Sequence, residues 1–211
     1  VIPDTNGALI EEVGFELHSE SSLKKRAFGR VYVDEFRVSG TPSYTIDFRK
    51  QAIEFKSVTP FAHHLGKWGM KDHRMTMESD DYTVALTGHY YMKDTHLRTT
   101  FTPLEGDNHQ LVFRSTGLQR YYSAGFENDH EIAIVRYYNG ERTVLASMAY
   151  EWEHRKIYTL KVRAIEGEIH LAINDEPLLC TQDDMFSYGM VGMLALHGGK
   201  CLYEAFAVNT Q

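Results

Sequence analysis

The segment from residue 188 to residue 208 constrains the fold more than any other part of the chain. An apolar run at 190–196 is followed by Gly198-Gly199, and a second run ends on Phe206 and Val208. Adjacent glycines favour a tight turn because they adopt positive φ angles at little steric cost. The pattern therefore predicts two β-strands joined by a turn, as in the closing hairpin of a β-sheet.

Apolar and polar residues alternate with a period of two through much of the remaining chain, whereas a helical period is nearly absent. Asn139-Gly140 is the strongest hairpin signal, and a short helical turn is expected near residues 183–186. Many short strands separated by turns predict an all-β fold, an antiparallel jelly-roll β-sandwich. The expected strands lie at 74–78, 82–86, 96–102, 109–115, 121–127, 132–138, 143–149, 157–164 and 168–174.

The same alternation predicts which side chains fill the core, since every second residue of a strand shares a face. The two cysteines, Cys180 and Cys201, are expected as two buried thiols, with a disulfide as the alternative. Seven apolar residues are expected in the core: Leu160, Val162, Ile169, Leu171, Ile173, Phe206 and Val208.

Composition excludes several classes of protein. The chain has 211 residues and is 43% hydrophobic, enough for the packed core of one large sandwich. Its formal net charge of −7 argues against nucleic acid or an anionic membrane as the partner. No apolar run approaches the ~20 residues of a transmembrane helix, and the first residues lack the pattern of a signal peptide. We expect a soluble chain, and two cysteines do not fix its compartment.

The first 40 residues echo the end of the chain. Residues 13–18 and 29–38 repeat the order of an apolar strand, a histidine, a turn and a strand that ends in Phe-x-Val. We interpret residues 1–40 as the closing hairpin of a preceding jelly roll, docked on the main domain; chance similarity between two hairpins is the alternative. Residues 41–67 then supply a linker and edge segments, and residues 68–211 form the jelly-roll sandwich.

Two segments are similar to accessory regions of known hydrolases. The sequences GRVYVDEFRVSGTP at 29–42 and GLQRYY at 117–122 resemble segments found downstream of the catalytic domain in some bacterial ADP-ribosylglycohydrolase-family proteins. This resemblance implies a non-catalytic accessory region of a larger bacterial hydrolase. The catalytic fold of that family is all-helical with a dinuclear magnesium site. Because this chain has no helical pattern of that kind, no catalytic residue is carried over.

The last two strands resemble the closing hairpin of laminin-G-like and concanavalin-like jelly rolls. That resemblance implies a sandwich of this type and a role in binding carbohydrate. The broader jelly-roll group also includes bacterial glycoside hydrolases of this size, so an enzyme is the competing implication.

Planar and cationic side chains in neighbouring strands are the candidate residues for binding a sugar. Sugar sites use flat aromatic faces for stacking and arginine forks for paired hydrogen bonds to hydroxyls. Because Tyr121 and Tyr122 point to opposite faces of a strand, only one of them is expected to touch the ligand, and Tyr122 is favoured because it shares a face with Arg120. Cross-strand packing is the alternative, and Trp152 either stacks on a sugar at the rim or caps the core. The full candidate set is Arg114, Arg120, Tyr121, Tyr122 and Trp152.

Three acidic residues form the alternative, catalytic set. Glu127, Asp129 and Glu131 have the spacing E-x-D-x-E, which jelly-roll glucanases place along one strand as acid and nucleophile. The residues between them should then be apolar, but Asn128 and His130 are typical of a turn. We expect a turn here, so catalysis by these carboxylates is the less favoured hypothesis.

The dispersed histidines show no metal-ligand spacing, so neither a metal site nor a cofactor is expected. A structural calcium ion bound by Asp80-Asp81 or Asp183-Asp184 is the alternative. The leading hypothesis is a non-catalytic accessory module that binds a glycan and contacts the catalytic domain of its parent hydrolase. A glycoside hydrolase with carboxylates in the concave cleft, and a structural spacer that packs on a catalytic domain, are the alternatives.

Overall fold

The computed structural model describes residues 43–50, 61 and 63–210. Within these ranges, 15 β-strands form two antiparallel sheets, and the one helical element is a three-residue 3-10 turn at Phe48–Lys50. No helix of the described ranges is long and apolar enough to cross a membrane. The hairpin predicted for residues 1–40 lies outside the described residues.

The strands of the first sheet are β1 (Ser43–Asp47), β3 (Lys67–Lys71), β4 (Arg74–Ser79), β6 (Thr95–Glu105), β11 (Tyr158–Ile165), β12 (Glu168–Ile173), β13 (Glu176–Gln182) and β15 (Gly199–Thr210). They are arranged in the order β13-β12-β11-β6-β15-β4-β3, and β1 pairs with β15. The strands of the second sheet are β2 (His63–Leu65), β5 (Thr83–Thr87), β7 (His109–Gly117), β8 (Arg120–Asn128), β9 (Glu131–Tyr138), β10 (Glu141–Ala149) and β14 (Met190–Ala195). They are arranged in the order β10-β9-β8-β7-β14-β5-β2.

The predicted fold class is confirmed: the chain forms an antiparallel β-sandwich. Each predicted strand is present, and its ends differ from the expected ones by no more than three residues. Asn139 and Gly140 join β9 to β10 with φ angles of 50° and 86°, the positive values that a two-residue hairpin turn requires. The helical turn expected near residues 183–186 is wrong, because this segment has no regular structure.

The main core lies between the two sheets and is filled from both by alternate strand residues. All seven predicted core residues are buried there. Of the two cysteines, which form no disulfide, Cys201 is buried as expected but Cys180 is exposed on β13. Its side chain points away from the core because Cys180 pairs with His170 on the outer face of the first sheet.

The last two strands do not form the predicted hairpin. β14 pairs with β5 and β7 in the second sheet, whereas β15 pairs with β4, β6 and β1 in the first. Gly198-Gly199 therefore carries the chain from one sheet to the other. A side chain at Gly198 would collide with the backbone of Ser79 and Asp80, which explains the glycine at this turn.

A second apolar cluster lies on the outer face of the second sheet, the face turned away from the main core. Alternate residues of β5, β14, β7 and β8 form it, and the Tyr121 ring stacks on Tyr137 with centroids 5.2 Å apart. Its buried members are Val84, Leu86, Val112, Tyr121, Met190 and Leu194.

Candidate functional site

A polar hollow of about 400 Å³ opens at one end of the sandwich. It lies where the start of β6, the end of β7, the β11–β12 turn and the segment between β13 and β14 come together. We call it the Arg114 hollow, after the side chain that is most deeply buried in it. Its lining residues are Lys93, Asp94, Arg114, Glu166, Gly167, Asp184 and Ser187.

Arg114 is the central side chain of this hollow. It is only 1% exposed, yet it carries a guanidinium group. Its Nη1 donates to the carbonyl oxygen of Phe186 at 3.0 Å, and its Nη2 lies 3.4 Å from Oδ1 of Asp94. Its Nε is buried and makes no hydrogen bond within the described part of the chain. The guanidinium fork therefore retains one donor without a partner in this part of the chain.

The local backbone holds Arg114 in an unusual conformation. Its φ angle is 50°, in the left-handed region, at the bulge that interrupts the pairing of β7 with β8 after Phe113. That conformation costs an L-residue about 1 kcal/mol. A side chain at Gly189 would collide with the backbone of Arg114 and Ser115, so the glycine lets the two segments approach. Burial lowers the Arg114 pKa, and the Asp94 charge opposes this shift.

The segment between β13 and β14 is fixed above this bulge by Asp183. The Asp183 carboxylate accepts hydrogen bonds from the Tyr122 hydroxyl and from Nη1 of Arg136. The Phe186 amide donates to the Tyr122 hydroxyl at 3.1 Å. Burial, followed by the bond to Asp183, raises the Tyr122 pKa well above its ordinary value. Tyr122 is therefore neutral and structural. The Met185 amide also donates to Oδ1 of Asp183 at 3.1 Å, so this carboxylate is already engaged by three donors rather than free for a calcium ion.

Exposed aromatic faces lie beside the hollow. Tyr188 directly follows the lining residue Ser187 and is 46% exposed. Tyr138 is 38% exposed, lies 6.0 Å from the Phe186 ring, and has the Arg120 guanidinium 5.7 Å above it. Arg120 also donates from Nε to Oδ1 of Asn139 at 3.3 Å. These rings can stack on the apolar face of a bound ring-shaped ligand.

The structure brings three of the five predicted ligand residues to this end of the sandwich. Arg114 and Tyr122 meet at the Phe186 backbone, and Arg120 is linked to them through Tyr138. The preference for Tyr122 as the ligand-facing tyrosine is wrong, because Tyr122 is fully buried in the main core. Its β8 position next to the inward-facing Phe113 leaves no face open.

The other two predicted ligand residues lie elsewhere. Tyr121 is buried in the outer cluster of the second sheet. Trp152 is 8% exposed and stacks on Phe126 with ring centroids 4.6 Å apart and planes 4° from parallel. Its Nε1 donates to the carbonyl oxygen of Asn128 at 2.7 Å, at the opposite end of β8. Trp152 therefore caps the core, one of the two expected roles, and does not stand at the rim of the Arg114 hollow.

The acidic triplet forms a turn, as expected. β8 ends at Asn128 and β9 begins at Glu131, so the three carboxylates do not share one strand face. Glu127 is paired with Arg142 and accepts from Nε2 of Gln110 at 2.7 Å. The Glu131 carboxylate accepts from Nδ2 of Asn128 at 3.1 Å. Burial raises the pKa of Glu127 even though Arg142 opposes the shift. The strand arrangement that glucanases use is therefore not formed here.

Asp94, Glu166, Phe186 and Tyr188 were not identified from the sequence. Asp94 precedes β6 and Glu166 lies in the β11–β12 turn. Phe186 and Tyr188 lie between two strands in a segment of seven residues that shows no alternation. An irregular segment that keeps two aromatic residues and two aspartates is typical of a functional loop, and this is the one signal that pointed to it.

No protein-family model and no curated protein matches the sequence. Solved structures match the fold. The carbohydrate-binding module CBM66 from Bacillus subtilis has a TM-score of 0.63 at 18% identity, covering 69% of this chain and 92% of that one. A protein of unknown function with a galectin-like fold from Bacillus subtilis has a TM-score of 0.61 at 14% identity, covering 81% and 98%. The VIP36 exoplasmic/lumenal domain in its Ca²⁺/Man3GlcNAc-bound form has a TM-score of 0.54 at 14% identity, covering 72% and 84%.

This chain has the galectin-like sandwich fold. At these identities the likeness concerns the fold alone, and nothing in it ties the chain to ADP-ribosylglycohydrolase-family proteins.

Proposed function

We propose that the protein is a carbohydrate-binding module and that the Arg114 hollow holds the sugar. The observation that carries this proposal is the buried Arg114 fork, whose Nε is unused, beneath a hollow with exposed tyrosine faces beside it. An arginine fork donates paired hydrogen bonds to neighbouring hydroxyls, and aspartate and glutamate side chains accept hydrogen bonds from them. The likeness of the fold to the carbohydrate-binding module CBM66 and to the Man3GlcNAc-bound VIP36 domain supports the same function.

The chemistry of the hollow defines the class of ligand. Asp94, Glu166 and Asp184 supply acceptors, whereas Lys93 and Arg114 supply donors. A neutral, hydroxyl-rich ring satisfies both sets, whereas an anionic ligand would face three carboxylates. We therefore expect a neutral saccharide, held at low affinity by hydrogen bonds in the hollow and by stacking on Tyr188.

The finer proposal is that the chain acts as an accessory module of a larger hydrolase of the ADP-ribosylglycohydrolase type. It rests on the resemblance of residues 29–42 and 117–122 to such accessory regions. In that role the module would bring the catalytic domain to a glycan. The isolated chain is then expected to hydrolyse no glycosidic bond.

A glycan array followed by calorimetry on an array-positive saccharide tests the proposal. Tyr188→Ala and Asp184→Asn should each weaken binding by about tenfold, equivalent to ~1.4 kcal/mol, because each removes one exposed ligand contact. Asp129→Asn, an exposed aspartate at the opposite end of β8, is the matched control and should bind as the unaltered chain does. Equal affinity of all four proteins would show that the saccharide does not bind in the Arg114 hollow.

Chromogenic glycosides test the competing enzyme hypothesis. Turnover by the unaltered chain that Glu127→Gln abolishes would replace the module with a glycoside hydrolase.

A further inference from the structure

Three potential metal ligands of different chemistry meet on the outer face of the first sheet, where Glu168 directly follows Gly167, a lining residue of the Arg114 hollow. His170 on β12 pairs directly with Cys180 on β13, and Glu168 lies two residues before His170 on the same face. One ligand atom from each residue lies within 4.8 Å of the other two. Strand pairing therefore gathers a carboxylate, an imidazole and a thiol that are up to twelve residues apart in sequence.

We propose that Glu168, His170 and Cys180 bind a zinc ion. The Sγ of Cys180 lies 3.8 Å from Nε2 of His170, and that nitrogen lies 3.1 Å from Oε1 of Glu168. Tetrahedral Zn²⁺, with bonds of about 2.3 Å to sulfur and about 2.0 Å to nitrogen and oxygen, separates sulfur from nitrogen by ~3.6 Å and nitrogen from oxygen by ~3.3 Å. The two observed separations match these values to within a few tenths of an ångström.

Ligand chemistry favours zinc over calcium or magnesium. A thiolate and an imidazole are borderline-soft ligands that suit Zn²⁺, whereas Ca²⁺ and Mg²⁺ require oxygen ligands. A Cys180 thiolate, a Glu168 carboxylate and a neutral His170 carry two negative charges, which balance the ion. Binding releases the thiol proton to solvent. The neutral imidazole binds through the Nε2 lone pair with its one proton on Nδ1, and water completes the tetrahedron.

The sheet holds Glu168 and His170 in place before any ion arrives. β12 is paired on one side with β11 and on the other with β13, so the backbones of its residues are fixed. On β11, Nη1 of Arg163 lies 3.0 Å from Oε2 of Glu168, which leaves Oε1 directed at His170. An outer partner of this kind orients a ligating carboxylate.

Cys180 allows a direct test, because it is exposed whereas Cys201 is fully buried. A thiol reagent added to the native full chain therefore reports Cys180 alone. One equivalent of Zn²⁺ should slow this reaction at least tenfold. His170→Ala should abolish the protection, since loss of a ligand costs more than the roughly 10–100-fold lost with an outer partner. His130→Ala is the matched control: it removes a histidine that faces Glu151 at 2.9 Å as an exposed pair, so protection should persist.

Co²⁺ gives an independent spectroscopic readout. The unaltered chain should show a thiolate-to-cobalt charge-transfer band in the near ultraviolet, and Cys180→Ser should lack it. Two results would overturn the proposal: Zn²⁺ fails to protect Cys180 in the unaltered chain, or it protects Cys180 equally well in His170→Ala.

Discussion

Arg114 Nη1 donates a hydrogen bond to the Phe186 carbonyl oxygen at 3.0 Å, and this bond connects the end of β7 to the segment between β13 and β14. The same guanidinium faces Asp94 at 3.4 Å. One buried side chain therefore connects the start of β6, the end of β7 and the segment between β13 and β14. The hollow has its shape because these three parts of the chain converge on a single residue.

Replacing Arg114 should therefore destabilise the sandwich. Arg114→Met removes both polar contacts and is expected to lower the free energy of unfolding by about 2 kcal/mol, the range for a hydrogen bond to a charged group. Arg120→Met is the matched control: Arg120 is exposed, so the change should stay within about 0.5 kcal/mol. Urea denaturation monitored by circular dichroism measures both. Equal effects of the two substitutions would contradict the central position of Arg114.

Trp152 is expected to act on stability and not on ligand binding. Trp152→Ala removes the ring that stacks on Phe126 and should cost about 3–5 kcal/mol of unfolding free energy. Affinity for an array-positive saccharide, measured where the variant is still folded, should be unchanged, because Trp152 lies at the opposite end of β8 from the hollow. Loss of saccharide binding by a folded Trp152→Ala variant would instead show that Trp152 contributes to the saccharide site.

His109 should make stability depend on pH. It is 1% exposed, and burial lowers its pKa to about 4 from the ordinary 6.5. Between pH 4 and pH 6.5, His109 binds a proton in the unfolded chain but stays neutral in the folded chain. Its contribution to the free energy of unfolding is therefore fully present above pH 6.5 and is lost as pH falls towards 4. From pH 7 to pH 5 the expected loss is about 2 kcal/mol.

Urea denaturation of the unaltered chain and of His109→Leu, at pH 7 and pH 5, isolates this contribution. The pH-dependent loss should shrink by about 2 kcal/mol in His109→Leu, since the other titrating groups are common to both proteins. The same loss in both proteins would show that His109 is not the group responsible.

Phe206 tests the predicted core. It is fully buried on β15, and Phe206→Ala should cost about 3–5 kcal/mol of unfolding free energy. Ile157→Ala serves as the control because Ile157 is 57% exposed and should change stability little. A melting temperature of Phe206→Ala equal to that of the control would show that the strand register is wrong.

The sequence carried enough information for the strands and for the core. Alternation in β11 and β12 placed Leu160 and Ile173 correctly, because a strand with one buried face has a period of two. Which strands pair with each other could not be predicted as well from the sequence. Gly198-Gly199 is as compatible with a crossing between two sheets as with a hairpin, since both require only a sharp turn, and the difference lies in pairing with β4 and β5 far away in the chain.

Only part of the candidate site could be predicted from the sequence. Arg114 and Arg120 were identified from their planar, charged chemistry, but the role of Phe186 depends on a loop that folds back over β7. Tyr122 was misjudged because a tyrosine that donates to a buried aspartate looks the same in sequence as one that faces a ligand. The Glu168, His170 and Cys180 cluster shows no helical ligand spacing, because strand pairing and not sequence distance brings its members together.

A nuclear magnetic resonance titration can locate the bound saccharide on the folded chain and so test whether it occupies the Arg114 hollow. Amide ¹H–¹⁵N spectra should be recorded while an array-positive neutral saccharide is added to the unaltered protein. The largest shift changes should occur at Asp94, Glu166 and Ser187, which line the Arg114 hollow. Changes concentrated instead at Asn128, Asp129 and Trp152, at the opposite end of β8, would contradict this expectation.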